Sequence, residues 1–354
     1  MTNEKRDSTC WGVSVVVCSH NGAGRLPSTL AHLAAQSVPQ DLPWEVIVID
    51  NASADDTSEV ARHQGIQPAS ASFRIVSEPR LGLSHARCRG LEESRYEVVS
   101  FVDDDNWVCR NWVQQVATIM ATNPEIGACG GSAAPECEIS PPSWFERVQS
   151  CYAVGAQSDR AGDVTWTKGY VWGAGLTVRK SAWRQLQRLG FRFLLTDRRG
   201  SELQSGGDME LCYALRLAGW TLWYDPRLEM RHYIPASRLT WSYVRKMHRG
   251  FGVAAIGLKT YYPASNRSDG GYQSSLRGRW WCQAGLCLVR IMGQIGRLAV
   301  VPRRLQGHPA VLELESLAGT LAELIRSRSS YDRTFRHTQN LFPDSAGHRA
   351  RRAA

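Results

Sequence analysis

Four short apolar runs, each closed by a polar or acidic residue, set the terms for any fold this chain can adopt. Residues 12–19 (G-V-S-V-V-V-C-S) are Val-rich and nearly continuous, the pattern of a strand covered on both faces. Residues 45–50 (E-V-I-V-I-D) repeat that pattern, and residues 73–77 and 98–102 give two more short strands. Leu26, Leu30 and Leu33 recur at helical spacing after the first run, and a further helix is predicted over 84–94. Strands alternating with helices imply right-handed β-α-β units, hence an α/β fold with a doubly wound sheet. Ligands of such sheets bind beyond the carboxyl ends of the strands. Ser19, Asp50 and Asp103-Asp104-Asp105 stand at those ends, so they are expected to face one crevice.

The second half is less regular. Residues 169–179 (G-Y-V-W-G-A-G-L-T-V-R) read as a Gly- and Trp-rich loop entering a strand. Gly206-Gly207-Asp208 opens a helix carrying Leu211, Leu215 and Leu217, and Gly219 suits its left-handed cap. Residues 222–224 predict a short strand closed by Asp225-Pro226. From 280 to 301 the chain is apolar except for Gln283, Arg290, Gln294 and Arg297, which share one helical face. Two arginines argue against a span, leaving an interfacial amphipathic helix or a helix packed on the body. A last helix is expected near 310–326. The organisation read from this is a body over 10–235, a helical region over 236–330, and a polar, basic, disordered tail over 331–354.

Charge is split between these parts. Residues 1–235 carry 23 Lys/Arg against 27 Asp/Glu, whereas residues 236–354 carry 19 against 6. A basic end on a mildly acidic body points to an anionic surface such as a membrane leaflet, or to a solvated basic tail. The Arg-rich end lacks interleaved aromatics, so nucleic acid is not an expected partner. The ten cysteines form no C-x-x-C pair and suit a reducing setting. Residues 1–7 lack the apolar core of a signal peptide, and no uncharged apolar run reaches the roughly 18 residues of a span. The expected location is cytoplasmic, with peripheral contact at the inner face of a membrane as an option.

The acids carry the chemistry. Three consecutive carboxylates at a strand end repel one another unless a positive group sits there. A hard divalent cation, Mg²⁺ or Mn²⁺, bridging Asp103-Asp105 to a diphosphate is the simplest partner, and a solvated acidic turn is the plainer alternative. Asp208 is either a helix N-cap or a general base that takes the proton of an attacking hydroxyl. His232, in R-H-Y-I-P, could complete a cation's shell. Trp172-Gly173 would stack on a sugar face, or be a core Trp beside a tight turn.

The order of these pieces carries a resemblance. Ser19-x-Asn21 after a strand, Asp50-N-A-S, Gly82-x-x-x-Ala86-Arg87, F-V-Asp103-Asp104-Asp105 and Gly207-Asp208-x-Glu210-Leu211 resemble the inverting family 2 glycosyltransferases of GT-A fold, over about 13–235. The stretch G-W-T-L-W-Y-D-P-R-L-E-M-R-H-Y-I-P is similar to bacterial members that build surface polysaccharides. The resemblance implies a Rossmann-like mixed sheet with helices on both faces and a helical C-terminal extension. It also implies a nucleotide-diphosphate sugar donor, UDP-type favoured, and a glycan or lipid-linked acceptor. Carried over, Ser19, Asn21, Asp50, Arg87, Asp103 and Asp104 would bind the donor, with Asp50 accepting from a uracil-type imide. Asp105, with Asp103 and His232, would hold the metal. Asp208 would be the base, and Trp172, Gly173 and Glu210 would meet the acceptor. The chain departs from the family at Cys18-Ser19-His20, at Cys88 after Ala86-Arg87, and at Gly207 before Asp208. The Q-x-x-R-W motif of processive synthases is echoed only faintly by Arg277-Gly278-Arg279-Trp280.

Two other readings are kept. A nucleotidyltransferase of sugar activation would need a Gly-rich, basic loop after the first strand, where Arg25 and two glycines are a poor match. A catalytically inactive nucleotide-sugar binding protein would lack the acidic cluster or Asp208. No G-x-G-x-x-G follows the first strand, which disfavours a dinucleotide-dependent oxidoreductase.

Overall fold

A computed structural model describes residues 10–64, 71–198, 203–262, 279–299 and 306–342. Its body is a nine-stranded mixed sheet. In chain order the first elements are β1 (Cys10–Ser19), α1 (Leu26–Ala34), β2 (Trp44–Asp50), α2 (Thr57–His63), β3 (Ala71–Ser77), α3 (Leu83–Glu93) and β4 (Tyr96–Asp103). There follow β5 (Asn106–Val108), α4 (Trp112–Thr122), β6 (Ile126–Cys137), α5 (Phe145–Val148), β7 (Gly162–Asp163), β8 (Thr177–Arg179) and α6 (Lys180–Arg188). The body closes with α7 (Gly207–Leu217) and β9 (Thr221–Ile234). Strand order is β3-β2-β1-β4-β8-β6-β9-β5, with β7 beside β9.

The Val-rich run of β1 behaves as its composition demands. Val13, Val15 and Val17 pack with Leu26, Leu30 and Leu33 of α1 and Trp112 of α4. Val16 and Cys18 point the other way, toward Ala86 and Leu91 of α3 and Leu211 of α7. Successive side chains face opposite sides of a sheet, so a strand buried on both must be apolar throughout. The parallel quartet β3-β2-β1-β4 sets the register that matters. Ser19 lies opposite Asp50, and Cys18 opposite Asp103. Three strand ends thus reach one edge.

The other half of the sheet is mixed. β8 runs antiparallel to β4 and β6, while β6 and β9 pair in parallel over most of their length. The predicted strand over 222–224 does not stop at Asp225-Pro226. It resumes after an irregularity and runs to Ile234 as one element. The short β5, directly after the acidic cluster, pairs antiparallel with β9 and places Asn106 opposite His232.

A 3-10 turn (Ala236–Arg238) is followed, among the described residues, by the helices α8 (Trp241–Lys259), α9 (Trp280–Ala299), α10 (Pro309–Arg326) and α11 (Tyr331–Leu341). Glu315 of α10 ties α8 down through Arg245 (2.6 Å) and Arg249 (2.9 Å). Where the sequence suggested a disordered tail from 331, Tyr331–Leu341 is helical, because Tyr331 and Phe335 bury against Ile256 and Leu324. Residues 343–354 lie outside the described residues, as do Arg277, Gly278 and Pro302-Arg303-Arg304. No helix among the described residues is long and apolar enough to cross a membrane. All ten cysteines are free thiols.

Candidate active site

A cavity of about 680 Å³ opens at the strand edge just described. The ends of β1 and β4, the N-termini of α3 and α7, and the segment before α7 enclose it. Ser19, Arg87, Asp103, Asp104, Asp105, Trp172, Gly173, Asp208 and His232 all line it.

The three consecutive carboxylates have separate partners. Asp104 is buried and accepts from the Ser19 hydroxyl (2.6 Å) and from Arg25 Nε and Nη2 (both 3.0 Å). Burial and the neighbouring Asp105 push its carboxyl up, and Arg25 opposes them. Asp105 accepts from Arg238 Nη1 at 2.8 Å and has His232 Nε2 at 3.5 Å. Burial raises its pKa, but His232 and Arg238 outweigh that and hold it well below the usual carboxylate range. Asp103 has no such dedicated cation: burial and Asp105 push it up to about 6, with Arg87 opposing. Arg25 and Arg238 thus bind two of the three carboxylates, and Asp103 is left to the field of Arg87.

His232 Nδ1 lies 2.7 Å from the Tyr152 carbonyl oxygen, which can only accept. Nδ1 thus carries a hydrogen and Nε2 faces Asp105, so that a cation entering there would take the place of a proton on Nε2. Asp103, Asp105 and His232 are hard oxygen and imidazole donors suited to Mg²⁺ or Mn²⁺. Among the described residues, however, no group of three His, Cys, Asp or Glu is arranged to hold a metal as it stands. Arg238 occupies the position against Asp105, and a cation would have to displace it.

Across the cavity, Asp208 sits in the first turn of α7. Its Oδ2 accepts from the Gly173 N–H at 2.7 Å. A side chain at Gly173 would collide with Arg87 and Asp208, so glycine there lets all three groups meet. Arg87 is buried, paired with Asp197 at 3.3 Å. Burial would lower its pKa, but Asp197, Asp103 and Asp208 raise it, so it stays charged. Lys168 Nζ stands over the Trp172 ring at 4.0 Å and donates to Gln157 Oε1 at 2.9 Å. Burial lowers its pKa to about 8, against the attraction of Asp208.

The comparisons with known proteins place this geometry. The model of the family described as "Glycosyl transferase family 2" matches residues 14–186, which hold the sheet edge and the acidic cluster. Over those residues the chain is similar to family 2 glycosyltransferases. Over 120 residues it is 31% identical to the glycosyltransferase AglE of Haloferax volcanii, covering 34% of this chain and 39% of AglE. Over 252 residues it is 26% identical to the succinoglycan biosynthesis protein ExoM of Rhizobium meliloti, covering 67% of this chain and 72% of that protein. The chain thus spans about two fifths of the first relative and most of the second. Among solved structures, mannosyltransferase PcManGT from Pyrobaculum calidifontis, in complex with GDP-Man and Mn²⁺, matches with a TM-score of 0.51 and 17% identity. That match covers 90% of this chain and 86% of the other. The fold is GT-A, as the motif order implied.

Within this chain the structure sorts the residues singled out from sequence. Nine of them line the cavity, and three do not. Asp50 reaches the correct edge, but its carboxylate accepts from Ser53 N–H (3.2 Å) and the Ser58 hydroxyl, at the start of α2. Asn21 braces the neighbouring loop, its Oδ1 accepting from Ala54 N–H at 2.8 Å. Glu210 is fully buried beneath the site and accepts from Leu194 N–H (2.8 Å), Leu195 N–H (3.0 Å) and the Tyr261 hydroxyl (2.8 Å). Its expected contact with an acceptor is corrected to a brace for the segment that encloses the cavity.

Sequence reasoning missed Arg25, Asn51, Lys168, Asp197 and Arg238, all of which line the cavity. Asn51 had a signal, standing directly after Asp50; its side chain holds the turn by donating to Arg80 O and accepting from Gly82 N–H. Lys168 precedes the Gly- and Trp-rich stretch as the only Lys/Arg between 161 and 178. Arg238 and Asp197 lie in irregular segments without a spacing that marks them.

Proposed function

We infer that the chain is an inverting glycosyltransferase taking a nucleotide-diphosphate sugar as donor and a hydroxyl of a glycan or lipid-linked sugar as acceptor. One observation carries this reading. A single cavity sets two carboxylates beside a histidine (Asp103, Asp105, His232) on one side and a carboxylate steered by a backbone N–H (Asp208) on the other.

Ser19, Asn51, Arg87, Asp103 and Asp104 would form the donor side, with Arg87 and Arg238 supplying charge to a diphosphate. Asp103, Asp105 and His232 would hold Mg²⁺ or Mn²⁺, which would supply positive charge to stabilise the departing diphosphate. PcManGT, of the same fold, is described with GDP-Man and Mn²⁺, which supports a metal-assisted donor site. Preference for a uracil base rested on Asp50, whose carboxylate is engaged elsewhere, so the reading extends to nucleoside diphosphates as a class.

The acceptor oxygen attacks the anomeric carbon from the face opposite the diphosphate. Asp208 takes the hydroxyl proton as the new C–O bond forms; the bond to the diphosphate breaks, and the nucleoside diphosphate leaves with its electron pair. Attack from the opposite face inverts the configuration. Gly173 N–H orients the Asp208 carboxylate, and Trp172, already stacked under Lys168, offers a flat surface to a sugar ring. Asp208→Asn keeps the size of the side chain and removes the base. It is expected to cut transfer by on the order of 10³-fold while donor affinity changes little. Equal loss of binding and turnover would show that Asp208 holds the site together and is not the base.

A further inference from the structure

Helix α9 docks on the body through a mixed face, with Trp280, Ala284 and Cys287 packing inward beside two glutamines. Gln283 and Gln294 are only 9% and 7% exposed, and Gln294 Nε2 donates to Glu313 of α10 at 2.6 Å. Lys259 of α8 donates to Gln283 Oε1 at 3.2 Å. Of the helix's cysteines and large aliphatic residues, only Cys287 is buried with them.

The opposite side is apolar and open. Trp281, Leu288, Val289, Met292 and Ile295 fall within an arc of about 120° at 3.6 residues per turn. Val289 is 71% exposed and Met292 70% exposed. Leu286, beside this arc, is 61% exposed. Half of the exposed large hydrophobic residues described in the whole protein lie on this one helix. Continuous apolar patches of this kind mark an interaction surface.

Charge decides what covers it. The 20 residues of α9 include no Asp or Glu, and its two arginines, Arg290 and Arg297, lie on the flank between the apolar stripe and the docked face. Arg290 reaches Glu313 at 3.1 Å yet stays largely exposed. Arg279 precedes the helix, and residues 236–354 as a whole carry a large basic excess. Pairing two copies through this face would set two helices of like net charge side by side, with no acid on either helix to offset it. An anionic lipid leaflet accepts both features: apolar side chains enter the acyl boundary while arginines reach headgroup phosphates.

The geometry points to α9 as a membrane-docking helix that seats the protein on an anionic leaflet, held by Trp281, Leu288, Val289, Met292 and Ile295, with Arg290 and Arg297 on its flank. This assignment rests on α9 alone and is independent of the transfer reading, although it would bring the cavity to lipid-linked acceptors.

The test is flotation of the full chain with phosphatidylcholine vesicles containing phosphatidylglycerol, and with phosphatidylcholine vesicles alone. The wild-type protein is expected to float with the anionic vesicles, far less with the neutral ones, and progressively less as salt rises. Val289→Glu/Met292→Glu, at positions with no packing role, should reduce the bound fraction by on the order of tenfold or more with melting temperature and Mn²⁺-dependent donor binding unchanged. Arg297→Glu should weaken only the anionic-lipid component. Failure of the wild-type protein to float, or equal flotation by the double variant, would overturn the assignment. So would a dimer in sedimentation velocity that the double variant dissociates, since the face would then be a self-interface.

Discussion

Gly173→Ala probes the architecture of the site with a single methyl group. A Cβ built at Gly173 would stand 2.4 Å from Arg87 Nη2, 3.1 Å from Asp208 Cβ and 3.2 Å from Asp208 Oδ2. Ordinary carbon contacts lie at about 3.5–4.0 Å, so Arg87 must retreat by about 1 Å and Asp208 by a few tenths of an ångström. Arg87 is buried against Asp197, and Asp208 is tied to the N–H of Gly173 itself, so each shift loosens a contact that positions the site. Misplacement of about 1 Å within a site costs on the order of 10²-fold in rate, equivalent to about 2.7 kcal/mol of barrier. Overpacking adds a stability cost of about 1–3 kcal/mol, so rates are to be compared well below the melting transition. The assay is nucleoside diphosphate release at saturating donor and acceptor, with donor affinity measured by calorimetry. Gly24→Ala is the control, since nothing lies within 4 Å of a Cβ there. A Gly173→Ala enzyme within about twofold of wild type would refute the claim that backbone proximity at Gly173 sets the position of the Asp208 carboxylate.

Two further outcomes follow from neighbouring residues. Lys168 is pushed down to about 8 by burial, so it loses its charge as pH rises through that value. Wild-type kcat/KM should decline on the alkaline side near pH 8, and Lys168→Met should start lower and lack that limb; identical limbs in both would detach Lys168 from the site. Glu210→Ala removes one buried carboxylate that satisfies two backbone N–H groups and a tyrosine hydroxyl. Urea unfolding should show a loss of about 3–5 kcal/mol, and a loss under about 1 kcal/mol would mean the enclosing segment does not depend on it.

The parallel half of the sheet was legible because each strand is covered on both faces and must be apolar along its whole length; β1 and β2 announce themselves. The β6–β9 half was not. β6 carries Gly127, Gly130 and Gly131, which weaken a strand signal, yet a side chain at Gly131 would meet the Leu228 carbonyl oxygen at 1.8 Å. Glycine there is what lets the two strands come together. Pro226 likewise signalled an end to β9 but sits at the irregularity between its two paired segments.

The site was legible where chemistry is concentrated in short motifs, as at Asp103-Asp104-Asp105 and Asp208. It was not where a residue's direction is set by tertiary contacts. Asp50 and Asn21 reach the right edge and then turn to α2 and the adjoining loop. Glu210 lies one helical step from Asp208 and faces the core instead of the cavity. Helix α9 shows the same limit in reverse: its amphipathic pattern was plain, but which face met the body depended on partners such as Glu313 and Lys259 far along the chain.

The most direct test of the account is thermal stabilisation by nucleotide-diphosphate sugars with and without Mn²⁺, in the wild-type protein and in Asp105→Ala. A ligand that binds only the folded state raises the melting temperature, by about 2.7 kcal/mol of stability at a hundred times its Kd. A donor sugar with Mn²⁺ together should stabilise the wild-type protein far more than either alone, and this synergy should vanish in Asp105→Ala. A synergy that persists undiminished in Asp105→Ala, or no stabilisation by any nucleotide sugar, would contradict a cation-held donor at this acidic corner.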